Sequence, residues 1–103
     1  MTNYNSAIPY IAGVYGDEHQ LIQTAEECAE LAQAALKRHN ALTETTPAET
    51  MVATRKALVE EIADVLIMCE QIIYLEDFED SVREMIDSKI QRQIDRIKGR
   101  DKK

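Results

Sequence analysis

The chain has 103 residues, 45% of them hydrophobic and 30% charged, with a formal net charge of −7. That length predicts one domain over 1–103 with room for a single modest core, and the apolar content excludes wholesale disorder. The acidic balance excludes a general nucleic-acid binder and a binder of anionic membranes, and no apolar run is long enough to span a bilayer.

Three Gly and two Pro leave little punctuation, so the chain is expected to be all-α, with long helices. Residues 1–16 are the least legible stretch. Ser6 is placed to cap a short helix with Pro9 in its first turn and Tyr10, Ile11, Val14 and Tyr15 on its apolar side, and Gly16 ends it. Met1 to Tyr4 shows no basic region leading into an apolar run, so no secretory signal is expected.

A second helix starts at Asp17, an N-cap with Glu18 behind it. Leu21, Ala25, Cys28, Ala32, Ala35 and Leu36 follow helical spacing and form the expected buried stripe. The opposite side carries Gln23, Glu26, Glu30, Gln33 and Lys37, with Glu27 at the border. Lys37, Arg38 and His39 suit the negative end of the helix dipole, and Asn40 is the expected stop. Residues 41–48 read as a Thr-rich loop, with Thr45 or Thr46 capping the next helix and Pro47 at its first position.

The third helix is expected from Pro47 to Leu75. Its second half, Val65 to Leu75, is apolar almost all round, which implies the centre of a bundle or a subunit interface. Glu76-Asp77 breaks the pattern. A last helix follows over Asp77–Lys98, with Val82, Ile86, Ile90, Ile94 and Ile97 as its buried face and Lys89, Arg92 and Arg96 along a flank. Gly99 is the expected stop, and residues 99–103 a frayed tail. Cys28 and Cys69 lie in apolar helical stretches without a zinc-ligand pattern, and read as buried free thiols in a reducing compartment; Met68 and Tyr74 read as core. The expected location is cytoplasmic.

Two acidic clusters carry the functional signal. They are Glu26-Glu27-Cys28-Ala29-Glu30 and Glu60-Glu61-Ile62-Ala63-Asp64. Carboxylates three residues apart share a helix face, so Glu27 pairs with Glu30 and Glu61 with Asp64. A lone run of this kind is commonly a solvated helix face. The second pair differs, because it shares a stripe with Val65, Met68 and Ile72, where unpaired charge is costly. Four carboxylates converging from two antiparallel helices make a hard-oxygen site suited to Mg²⁺ or Mn²⁺. A ferritin-like di-iron site needs Glu-x-x-His, and neither His19 nor His39 stands in that relation to a glutamate. The Lys89, Arg92 and Arg96 flank is either a solvated side offset by Glu84 and Asp95 or a phosphate contact.

Glu26-Glu27-x-x-Glu30 followed by Glu61-x-x-Asp64 resembles the EExxE…ExxD signature of the MazG-like, all-α nucleoside triphosphate pyrophosphohydrolases. The lead-in Tyr15 to Leu21, the continuation Asp64 to Ile67 and the KxxR-like Lys89-Ile90-Gln91-Arg92 extend the likeness over residues 10–97. Asp87 stands where the family often has Asn, and the separation between the motifs is at the long end.

The resemblance implies a bundle of three to four helices assembled as a homodimer or homotetramer. It implies Mg²⁺-dependent hydrolysis of a (deoxy)nucleoside triphosphate to the monophosphate and pyrophosphate. Glu27, Glu30, Glu61 and Asp64 would hold the metal, Glu26 would act on the attacking water, and Lys89 and Arg92 would hold phosphate oxygens. Gln20 and Gln23 are the candidate base or sugar contacts. The alternative is a non-catalytic helical module that binds a nucleotide or a partner protein.

Overall fold

A computed structural model describes residues 6–101. Among the described residues the architecture is all-α, with four helices: α1 (Ala7–Tyr15), α2 (Asp17–Thr43), α3 (Ala48–Glu76) and α4 (Glu79–Asp101). No helix among the described residues is long and apolar enough to cross a membrane. Residues 1–5, 102 and 103 lie outside the described residues, and with them the end of the expected tail.

Each junction has a local cause. Gly16 has φ +81° and ψ 167°, a conformation open essentially to glycine alone. Its N–H closes α1 on the Ala12 carbonyl at 2.8 Å, and its own carbonyl accepts from Gln20 N–H at 3.1 Å, so one residue ends α1 and opens α2. At the far end of α3, Asp77 adopts the left-handed conformation (φ 56°), and Phe78 N–H reaches the Ile73 carbonyl at 3.4 Å. That turn delays the start of α4 from the expected Asp77 to Glu79.

Two helices outrun their expected ends. α2 continues past Asn40 to Thr43, because Ala41 is buried and the Thr43 hydroxyl donates to the His39 carbonyl at 3.1 Å. The expected loop therefore shrinks to residues 44–47. Thr46 does not cap α3; its hydroxyl turns back to the Ala41 and Glu44 carbonyls. Pro47 sits at the N-cap position, one residue before its expected place, and its carbonyl accepts from Thr50 and Met51. Gly99 does not stop α4, since its φ is not positive and nothing there breaks the helix.

α2 and α3 pack lengthwise and antiparallel, α1 lies mainly on α3, and α4 touches α3 but neither α1 nor α2. Two contacts pin the α2–α3 register. Near the start of α2, Gln20 Nε2 donates to Gln71 Oε1 at 2.6 Å, with both residues almost fully buried (3% and 2% exposed). Towards its other end, Arg38 Nη1 donates to the Met51 carbonyl at 2.9 Å and to Thr54 Oγ1 at 3.3 Å.

This register corrects the expected stripe on α2. The residues facing α3 are Gln20, Gln23, Thr24, Glu27, Leu31, Ala34, Arg38 and Ala41. Leu21, Cys28 and Leu36 of the expected stripe are exposed, Leu36 by 66%. Ile86, Ile90, Ile94 and Ile97 of α4 are likewise exposed, and only Val82 is half-buried. Both thiols are free as expected, but exposed rather than buried, and Tyr74 is exposed where Met68 is buried. In each case the periodicity is real, but the single chain leaves that face exposed.

Candidate metal centre

The α2–α3 register brings the two acidic clusters together. One carboxylate oxygen from each of Glu27, Glu61 and Asp64 lies within 4.8 Å of the others. Glu27 and Glu61 are half-buried on the facing stripes, while Asp64 opens to solvent. Glu61 keeps its expected stripe, with half-buried Val65 and Ile72 and buried Met68 around it.

Glu27 is held from below by the preceding turn: Gln23 Nε2 donates to its Oε1 at 3.0 Å. Its other oxygen, Oε2, is buried without a hydrogen-bond partner, and so is Oε2 of Glu61. Buried carboxylate oxygens are ordinarily partnered, since leaving one bare costs about 1–3 kcal/mol or more. Two bare oxygens beside a third carboxylate match a cation's demand for hard donors.

Glu30 is one turn on from Glu27. Like charge from Glu27 first, then Glu61, holds its carboxyl above the usual 4.5; desolvation and hydrogen bonding to the protonated form act the same way. Glu30, expected among the metal ligands, stands outside the three-carboxylate set and lines the adjoining groove with Glu61, exposed to solvent. Glu26 and Glu60 are exposed and stand outside the three-carboxylate set.

The remaining expected residues fall into two groups. Gln20 is closed off from any ligand at the surface by its bond to Gln71 and by His19, whose Nδ1 is 2.7 Å from Gln20 Oε1. Gln23 is a neighbour of the site, through its bond to Glu27. Lys89 and Arg92 are exposed on α4, which touches α3 but not α2, and neither lines the groove beside the carboxylates.

A groove of about 180 Å³ runs from the cluster along the α2–α3 seam, lined by Glu30, Gln33, Ala34, Lys37, Ala57 and Glu61. Lys37 is its cation. The spacing held the signal for Lys37, since two helical turns separate it from Glu30 on the same flank. Comparison with known proteins adds no assignment: no family model, no curated protein and no solved structure matches the chain.

Proposed function

We propose that the chain is a divalent-metal-dependent nucleoside triphosphate pyrophosphohydrolase of the MazG-like kind. The observation that carries this reading is the pair of buried, unpartnered oxygens, Glu27 Oε2 and Glu61 Oε2, converging with Asp64 within 4.8 Å. The donor set fits Mg²⁺, or Mn²⁺, held by Glu27, Glu61 and Asp64 with Glu30 at the edge. A bound divalent ion would neutralise triphosphate charge that an acidic chain otherwise repels, and would lower the pKa of a water.

The chain's own residues do the rest. Gln23 fixes the Glu27 carboxylate, and so sets the direction of its free oxygen. Lys37 lines the adjoining groove and holds a phosphate oxygen there. The groove is too small for a whole nucleotide, given that ligand pockets run to roughly 300–1,000 Å³. It suits the phosphate tail, leaving base and sugar outside. Glu26 and Glu30 are the carboxylates available to orient or deprotonate water, both exposed beside the cluster.

The test is a panel of NTPs and dNTPs with Mg²⁺, scored for pyrophosphate release by the wild type and by Glu61→Gln. Metal-dependent release from at least one nucleotide, lost in the variant, is the expected result. No release from any of them overturns the enzyme reading. A second reading is a non-catalytic nucleotide- or partner-binding module, which keeps the carboxylate cluster and lacks turnover. Calorimetry with a non-hydrolysable analogue separates the two, since the module binds without turnover.

A further inference from the structure

The groove beside the carboxylates does not end at Lys37. A second, larger pocket of about 380 Å³ opens at the loop end of the α2–α3 hairpin, and Lys37 lines both. The two form one cleft along the seam, with Lys37 at its waist. Glu30 and Lys37 are about 10 Å apart along the α2 axis, and Lys37 and Glu44 about 10 Å again, since each pair is separated by two helical turns. The near groove is below the size of a ligand pocket, whereas 380 Å³ falls within the usual range of about 300–1,000 Å³.

The walls of this pocket are fixed, and its hydrogen-bonding groups are open to a ligand. The Thr46 hydroxyl reaches the Ala41 carbonyl at 2.9 Å and the Glu44 carbonyl at 3.1 Å, which ties the loop to the end of α2. Thr54 is held to the Thr50 carbonyl at 2.9 Å and accepts from Arg38 Nη1 at 3.3 Å. By contrast, the side chains of Glu44, Thr45 and Thr50 form no hydrogen bond or ion pair among the described residues, and that of Asn40 meets only the neighbouring His39, at 3.4 Å. One amide, two hydroxyls and a carboxylate therefore line a pocket that has no aromatic side chain.

The charges give the cleft a direction. The carboxylates suited to a divalent cation stand at one end, Lys37 in the middle and Glu44 at the other end. A polyphosphate is drawn to the first two and repelled by the third. The Glu44 carboxylate can only accept, so it suits the O–H and N–H donors of a neutral group. Towards the start of α2, the Gln20–Gln71 bond closes the seam.

We propose that the loop-end pocket binds the nucleoside part of a nucleoside triphosphate, with Asn40, Glu44, Thr45 and Thr50 hydrogen-bonding its sugar and base edge while the phosphates lie between the carboxylates and Lys37. This rests on the nucleotide reading above and adds where selectivity is set. With no aromatic platform, discrimination comes from hydrogen bonds to the edges of the ligand rather than from stacking.

The experiment is isothermal titration of the full chain, in Mg²⁺, with two kinds of probe. One is a set of non-hydrolysable nucleoside triphosphate analogues. The other is inorganic tripolyphosphate, which has the phosphates and no nucleoside. Asn40→Ala and Thr50→Ala should each weaken the best-bound analogue by about tenfold and leave tripolyphosphate unchanged. Thr50→Trp fills the pocket from an exposed position and should weaken the analogue further, again with tripolyphosphate unchanged. Lys37→Ala should weaken both probes. Hydrogen exchange reads the same site without a substitution: the analogue should slow the amides of residues 44–46, and tripolyphosphate should not. All these positions are exposed, so each variant should melt within about 4 °C of the wild type. The proposal is overturned if the analogue binds all three pocket variants as tightly as the wild type. It is also overturned if tripolyphosphate binds as tightly as every analogue, because the nucleoside then adds nothing. Binding of neither probe is a different failure, since it overturns the nucleotide reading itself and this proposal with it.

Discussion

Replacing Glu61 by Gln should raise the stability of the metal-free protein and abolish its stabilisation by Mg²⁺. Three carboxylate oxygens within 4.8 Å repel one another, and Glu61 takes part in two of the three pairs. At that distance a pair of unit charges interacts by about 3.5 kcal/mol at an effective dielectric of 20, and by about 1 kcal/mol in bulk water. Glu61 and Glu27 are half-buried and Asp64 is exposed, so screening leaves a net relief of about 2 kcal/mol. The amide also donates, and Glu27 Oε2 is a bare buried acceptor beside it. For a domain of this size that relief is about 8–16 °C in melting temperature.

Mg²⁺ acts in the opposite sense. At a hundredfold excess over its dissociation constant it stabilises the wild type by about 2.7 kcal/mol, and the variant by far less. Thermal melts of both proteins, at one protein concentration, in EDTA and in a Mg²⁺ series, make the check. Glu61→Gln should melt higher in EDTA, and the order should invert in saturating Mg²⁺. The reasoning is refuted if the variant melts lower in EDTA, or if Mg²⁺ raises both melting temperatures equally. Either outcome makes Glu61 a satisfied structural carboxylate.

Glu30 gives a pH dependence of known sign. Its carboxyl is held above 4.5 in the native state by Glu27 and Glu61, so its contribution to stability is full below the unfolded value and is lost as pH rises through the raised native value. Urea melts in EDTA should show the wild type gaining stability, relative to Glu30→Gln, as pH falls from neutrality towards 4.5, with no further gain below. Gln71→Leu strands the buried Gln20 amide and should cost about 1–3 kcal/mol in chemical denaturation. The double change Gln20→Leu with Gln71→Leu should cost less than the two single losses together, giving a coupling energy in a double-mutant cycle. Gly16→Ala meets no neighbour with its added Cβ, yet φ +81° with ψ 167° is closed to alanine; a loss of about 1–3 kcal/mol by denaturant titration is expected.

Much of the backbone was legible because its signals are local. Scarce Gly and Pro meant long helices, Gly16 ended α1, and Glu76-Asp77 marked the α3–α4 turn. The boundaries that shifted did so through side chains acting across a junction. Thr46 turned back to α2 instead of forward to α3, and buried Ala41 carried α2 beyond Asn40. The buried face of α2 was not legible. Its inner stripe is mostly polar, with Gln20, Gln23, Thr24, Glu27 and Arg38, so hydrophobicity selects the wrong flank. Those polar groups can face α3 because most have partners there or within the helix: Gln20 with Gln71, Gln23 with Glu27, Thr24 with the Gln20 carbonyl, and Arg38 with Met51 and Thr54.

By itself the sequence determined the spacing of the carboxylates. Glu27 with Glu30 and Glu61 with Asp64 share a helix face because a helical turn is close to three residues, whatever else the chain does. Which carboxylates meet was decided only by tertiary structure. Residues on different helices converge when the helices pack in one register, and here the Gln20–Gln71 bond and the Arg38 contacts set it at the two ends. That register selects Glu27, Glu61 and Asp64, leaves Glu30 at the edge and Glu26 and Glu60 outside, and buries two oxygens without partners.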